Sequence, residues 1–329
     1  MSGDLRAELA RILDALSILG PGAFRLGDGP VVQAPPEAMA AALSGVFYTH
    51  CYAHRFPGPQ SVPSPRPDPE NSARLDAAIR GAERWDGGWR IYAAHPDGSL
   101  GIIKGQVQRI AAPGQYLALN GLGTPPRMGE MVAIWMPRSS GAIQAAFHFA
   151  FGETPGDQWD DHALTRFYFN VGAEAAPALL EWVTGAMNAF QVPFRMKALV
   201  DPALYGRSDA AVLYVARRHA VLAARLLSPE APRAAVALAD PVPLFTCRYA
   251  PGIGIAEEPG TGESFGMHRC RLMAEAVLHA WHRGATDGAA RIEAVAAHFA
   301  GQGLDLDRPW LSAGRSDIYA GLSPEELAA

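Results

Sequence analysis

The chain has 329 residues, 49 % of them hydrophobic and 19 % charged, which is enough apolar surface for a buried core in one large domain with an appendage, or in two domains. A formal net charge of −5 excludes the broad cationic surface of a nucleic-acid binder, while arginines inside a pocket stay compatible with it. The N-terminal MSGDLRAELARILDALSILG is acidic and helically patterned instead of a secretory signal, no stretch reaches the ~20 apolar residues of a membrane span, and Cys51, Cys247 and Cys270 lack CxxC spacing, so the expectation is a cytoplasmic protein without a disulfide framework or zinc knuckle.

The first element in chain order is a helix, in which Leu5, Leu9, Ile12, Leu13, Leu16 and Leu19 recur at spacings of three and four and form one apolar stripe. A second helical stretch lies around Pro36 to Ser44. Segment 56–69, rich in Pro and Ser, reads as a surface loop or lid, and a helix from about Asn71 to Arg84 follows. Residues 1–85 are therefore expected to form a helical N-terminal region, with an α+β domain over 86–329. WRIYAAHPDGSLGIIKG opens that domain, and its Pro96-Asp97-Gly98 turn reads as a hairpin. Further strands are expected at Met131 to Met136, Ala145 to Phe151, Thr165 to Val171, Phe194 to Leu199 and Ala210 to Ala216. Helices are expected at Ala175 to Phe190, Val221 to Leu238, Gly266 to Arg283 and Ala289 to Ala300. The pattern indicates a mixed, largely antiparallel sheet with packed helices. There is no Walker loop and no strand followed by GxGxxG; Gly252 and Gly254 form a GxG fragment that reads as a turn.

Chemistry concentrates where polar residues interrupt apolar strands. In TRFYFNVG, alternation puts Arg166, Tyr168 and Asn170 on one face and Phe167, Phe169 and Val171 on the other; the polar face is either an ordinary solvated sheet surface or a site. Lys197, in VPFRMKAL, either snorkels to solvent or is desolvated, which lowers its pKa toward the range useful for proton abstraction. Tyr205, Arg207 and Asp209 sit where a loop meets the sheet edge: Arg207 can hold a phosphate by two hydrogen bonds, or pair with Asp209 and tie down the turn. Arg248, His268, Arg269 and Arg271 surround a glycine-rich loop that opens a helix, where backbone N–H groups favour an anion, and Ser264 can cap that helix. The ten histidines include no HExxH and no pair at metal-ligand spacing with a carboxylate, and no GxSxG is present.

Together RFYFN, VPFRMK, YGRSDAAVLYV, PLFT, APGIGIAEEPGTGESFGMHR and WDGGWRIYAAHPDGSLGIIKG resemble the HopA-like family, over about Phe47 to Tyr319 and in one order. That family includes a plant-pathogen type III effector and proteins of bacterial peptide natural-product clusters. The resemblance to the cluster-encoded members, associated with class V lanthipeptides and thioamitides, implies a lyase that needs no cofactor or metal. It would eliminate phosphate from phosphorylated Ser or Thr in a precursor peptide, leaving dehydroalanine or dehydrobutyrine, in company with a kinase-like partner and a cyclase. A second likeness is to bacterial phosphothreonine lyases and the lyase domains of class III lanthipeptide synthetases: their Lys-x-His strand looks like Arg166-Phe167-Tyr168, their Phe-Lys strand like Phe194 to Lys197, and their Arg before an aromatic-ended strand like Arg207. In those lyases the strand Lys is the base and the His the acid, whereas this chain has Arg166 and Tyr168, so the roles do not carry across.

β-Elimination needs a base for the Cα proton, a donor for the carbonyl oxygen and positive charge for the departing phosphate. Arg166 stays protonated and suits an oxyanion or phosphate, not a proton, so Lys197, flanked by Arg166 and Arg207, becomes the expected base. Tyr168 is the expected acid, with His268 as its substitute, and Asn170 would orient the substrate backbone. Arg207 and Arg269 are the expected phosphate clamp, with Arg248 and His268 in reserve and Tyr205 beside it. The alternative is a HopA-like effector that binds a phosphopeptide or host partner without chemistry.

Overall fold

The computed structural model describes residues 2–329 except 60, 120–123, 158, 159, 161, 162, 286, 325, 326, 328 and 329. Helix α1 (Ser2–Asp14) buries Leu9, Ile12 and Leu13, but the stripe ends there. Leu16 and Leu19 lie on β1 (Leu16–Gly20), which the Gly20-Pro21-Gly22 turn folds back onto β2 (Ala23–Leu26), and β2 pairs in turn with β3 (Val32–Gln33). Leu19 is 56 % exposed, since alternate strand residues point away from the core. Helix α2 (Met39–Phe47) runs directly into a π-helical turn, Tyr48–Tyr52. Helix α3 (Pro69–Ala78) starts on an Asp68 cap, whose carboxylate accepts the Asn71 N–H at 2.8 Å. It stops six residues short of the expected Arg84: Ile79 is already extended and Gly81 takes φ +138°, a conformation that other residues rarely adopt.

Residues 1–85 are thus not purely helical, and they do not form a separate region. Helix α1 packs on α8 (Gly288–Gly301) and α2 on α7 (Phe265–His282), so both ends of the chain share one core. What does stand apart is a five-stranded antiparallel sheet with its own small core of Trp89, Ile91, Leu100, Ile102, Val132 and Ile134. It comprises β4 (Arg84–Ala94), β5 (Leu100–Lys104), β6 (Val107–Ala111), β7 (Tyr116–Ala118) and β8 (Met131–Met136), in the order β6-β5-β4-β8-β7, and the Pro96-Asp97-Gly98 hairpin joins β4 to β5.

The main sheet has seven strands, β9 (Ser139–Gln144), β10 (Phe147–Phe151), β11 (Leu164–Phe169), β12 (Phe194–Leu199), β13 (Ala211–Ala216), β14 (Cys247–Ala250) and β15 (Ile253–Glu257), in the order β14-β15-β11-β13-β12-β10-β9. Every pairing is antiparallel, which confirms the α+β class. Helix α4 (Ala176–Ala189) lies where the sequence puts it, but the expected helix over Val221 to Leu238 is two, α5 (Ala220–Leu226) and α6 (Glu230–Val236), because Pro229 cannot continue the hydrogen-bond ladder. On one face of the sheet α3 packs against β10 and α4; on the other, the π-helical turn and α7 meet β11 through Tyr52 and Phe265, each 6.3 Å from the Tyr168 ring.

Candidate functional site

Strand register brings the expected residues into phase. Across the sheet Arg166 pairs with Tyr214 and Tyr214 with Arg195, while one step along the strands Tyr168 pairs with Val212 and Val212 with Lys197. Directly paired residues share a face and alternate residues do too. Arg166, Tyr168, Arg195, Lys197 and Tyr214 therefore lie on one face, with Phe167, Phe169, Met196 and Leu213 on the other. Asn170 follows the end of β11 and is held apart: its side-chain N–H donates to the Pro241 carbonyl at 2.8 Å.

Lys197 is the least compensated charge of this face. Its ammonium lies 3.9 Å from the centre of the Phe147 ring and donates to Gln144 Oε1 at 3.2 Å, and no described carboxylate pairs with it. Burial, then Arg166, Arg195 and Arg207, pull its pKa down to about 8 against the opposing charge of Asp209. Arg166 is the opposite case. Burial opposes its charge, but Tyr168, Tyr214 and Glu258 outweigh that and hold the guanidinium protonated; Nε donates to Glu258 Oε2 at 2.7 Å, and a second donor reaches the same oxygen.

Tyr168 is 2 % exposed and its hydroxyl meets no partner at good hydrogen-bonding geometry, although Tyr52 and Arg166 are near enough to act on it. Burial pushes the phenol up to about 12 while the Arg166 charge draws it back, so it is a proton donor at neutral pH. Arg207 forms a two-pronged pair with Asp209, at 2.7 and 2.9 Å, and donates to the Tyr48 hydroxyl at 2.9 Å. The fork expected to grip a phosphate is thus turned onto Asp209 in this structure, while the charge stays close enough to depress Lys197.

Four residues of this neighbourhood escaped the sequence reading. Tyr48 and Tyr52, their rings stacked 5.3 Å apart, come from the π-helical turn, a feature often found at functional sites. Arg195 and Tyr214 were visible in principle, because Arg195-x-Lys197 and Val212-x-Tyr214 each alternate with apolar neighbours; the guanidinium carbon of Arg195 lies 4.8 Å from the Tyr214 ring centre.

Other expected residues are committed elsewhere. Arg269 is fully buried and donates to the carbonyls of Pro309 and Leu311, each at 2.8 Å, so it braces the C-terminal segment and is not a phosphate clamp. His268 lies 2.6 Å from Arg269 Nη1, and burial with the charges of Arg269 and Arg271 drives its pKa down to about 4; it is neutral near pH 7 and a poor acid. Tyr205 donates its hydroxyl to the Leu199 carbonyl inside the core. Arg248 points the same way as Tyr168, through Gly254, but stands four strands from Lys197, roughly 19 Å, and pairs with Asp240. Ser264 caps α7, and Gly252, at φ +71°, makes the β14–β15 turn. Among the described residues no group of three His, Cys, Asp or Glu side chains is placed to hold a metal ion, and no helix is long and apolar enough to cross a membrane.

Fold and site define an α+β protein organised around an antiparallel sheet with a cationic, tyrosine-roofed face. The family model of the HopA1 effector proteins matches residues 139–311, more than half of the chain and all seven strands of the main sheet, and the chain belongs to that family. Two solved structures resemble it: the effector protein from Pseudomonas syringae pv. tomato strain DC3000, at 13 % identity over 95 % of this chain and 97 % of that one with a TM-score of 0.47, and the effector protein from Pseudomonas syringae pv. syringae strain 61, at 15 % identity over 84 % and 93 % with a TM-score of 0.41. No curated protein matches the chain.

Proposed function

We propose that this HopA1-family protein is a lyase that eliminates phosphate from phosphorylated Ser or Thr of a peptide on the cationic face of the main sheet. The observation that carries the reading is Lys197, a half-buried amine with a pKa lowered to about 8 on the same face as the unpartnered phenol of Tyr168. The Lys197 amine takes the Cα proton; the electron pair of the broken Cα–H bond forms the Cα–Cβ double bond as the Cβ–O bond breaks, and the phosphate leaves with that bond's electrons. Tyr168 gives its proton to the leaving oxygen. Arg195, which has no carboxylate partner among the described residues, and Arg207 neutralise the phosphate, while Arg166 is held by Glu258 as a fixed charge against the enolate-like oxygen. An amine whose pKa lies near working pH combines a usable free-base fraction with real basicity.

The match to the HopA1 effector family supports a second reading, an effector that binds a phosphopeptide without chemistry. Turnover separates them. Purified protein incubated with a phosphoserine peptide, with and without chelator, is expected to yield free phosphate and a peptide lighter by phosphoric acid. Binding without mass loss supports the second reading, and activity lost on chelation removes the metal-free scheme.

A further inference from the structure

The floor of the site does not end at Lys197. Two residues back along β12, about 7 Å away, Arg195 and its neighbour Tyr214 pass into a cleft of about 230 Å³ between the two sheets, walled by Arg84, Trp89, Lys104 and Arg109 of the five-stranded sheet. Its carboxylates are largely spoken for. Asp86 accepts from Lys104 at 2.8 Å and from the Trp89 indole at 2.9 Å, and Asp160 is paired with Arg218 at 2.8 Å. The cations are less satisfied. Arg84 donates from Nη1 to the Gly152 carbonyl, yet its Nε is buried without a partner among the described residues, and burial lowers its pKa, with the Arg109 charge adding to that and the Asp86 and Glu153 carboxylates opposing it. Arg109 lies 5.4 Å from the Trp89 ring centre, donates to Met136 sulfur at 3.4 Å and has no carboxylate partner among the described residues.

We propose that this cleft binds an acidic stretch of the peptide on which the site acts, taking carboxylates from about two residues outward from the phosphorylated one. The spacing follows from the step of an extended peptide, about 3.4 Å per residue, set against the roughly 7 Å between Lys197 and Arg195 along β12; the arginines of the small sheet line the same cleft beyond Arg195. Carboxylates match unpaired guanidinium forks by charge-assisted hydrogen bonds. The chain as a whole carries a net charge of −5 and repels such a peptide, so an affinity for it has to come from a local cationic surface.

The assignment rests on the proposed peptide-acting site, and its test separates the two. A fluorescein-labelled, unphosphorylated peptide with four glutamates is titrated against the protein by anisotropy, beside its glutamine counterpart. The glutamate peptide is expected to bind about tenfold more tightly, the scale of one charge-assisted hydrogen bond, with the difference shrinking as salt rises above physiological strength. Arg109→Glu is expected to abolish that preference and Arg109→Gln to reduce it, each in a protein whose circular dichroism is unchanged. Equal binding of the two peptides to the wild type, or a preference that survives Arg109→Glu, overturns the proposal. A glutamate preference in a protein that eliminates no phosphate upholds the cleft and sinks the lyase reading; elimination without the preference does the reverse.

Discussion

The two faces of the seven-stranded sheet each carry a shielded titratable group, and they treat it differently. On the face covered by α3, His148 is 5 % exposed, lies 3.0 Å from Ser72 Oγ through Nδ1 and 3.4 Å from Asp76 through Nε2, and is pushed by burial toward its neutral form. Asp76 is held in turn by Arg138 at 2.7 Å and by Ser139. On the opposite face Lys197 meets an aromatic ring, an amide and the charges of three arginines, and among the described residues no carboxylate pairs with it, Asp209 acting on it only at longer range. Charge that is compensated ties elements together, whereas charge left partly uncompensated holds a reactive group away from its ordinary pKa, at a cost in stability. The contrast gives one face a structural role and is the ground for proposing chemistry on the other.

The largest expected effect is on turnover. Lys197→Ala should slow phosphate elimination at saturating phosphopeptide by ~100- to 10,000-fold, the usual worth of a general base, while binding measured by anisotropy changes far less. A variant with near-normal turnover would move the base elsewhere. Next comes stability: Arg207→Ala leaves Asp209, whose side chain is 8 % exposed, as an uncompensated buried charge, so chemical denaturation should show a loss of about 3 kcal/mol. An unchanged midpoint would mean that the Arg207–Asp209 pair is not formed in solution.

Lys197→Met should act in the opposite direction. The folded state lowers the lysine pKa from 10.5 to about 8, so folding disfavours the protonated form, and the penalty is fully present below about pH 8 and gone above about pH 10.5. The variant should gain about 1–2 kcal/mol at pH 7, discounted for partial solvent exposure, with the gain fading by pH 11. Loss of stability at pH 7 would contradict this picture of an unsatisfied amine. The smallest effect belongs to the other face, where Ser72→Ala should leave turnover within about twofold and cost about 1 kcal/mol. A severe loss of activity would show that the Ser72–His148–Asp76 group takes part in the chemistry.

Much of the main sheet was legible because its strands are short, apolar and β-branched or aromatic; the expected strand over Phe194 to Leu199 coincides with β12. Alternation also placed Arg166 with Tyr168 correctly. Alternation within one strand carries no information about its phase in the next, so the meeting of Tyr168 with Lys197 had to come from pairing. Arg269 was misread because an arginine near the start of a helix after a glycine-rich loop looks like an anion site, while the Pro309 and Leu311 carbonyls that absorb it lie about forty residues later. Tyr48 and Tyr52 were hidden by the change from α to π winding, which no periodic pattern announces. The break at Pro229 was the reverse case, a signal present in the sequence and overridden by the apolar spacing around it.

The central claim is that the Lys197 amine removes the Cα proton, and a pH–rate profile tests it most directly. Initial rates of phosphate release from a saturating phosphoserine peptide, followed by mass spectrometry between pH 6 and 10, should rise about tenfold per pH unit on the acid side and level off above about pH 8, where Lys197 loses its proton. A flat profile across that range, or the same rising limb in Lys197→Ala, would contradict it.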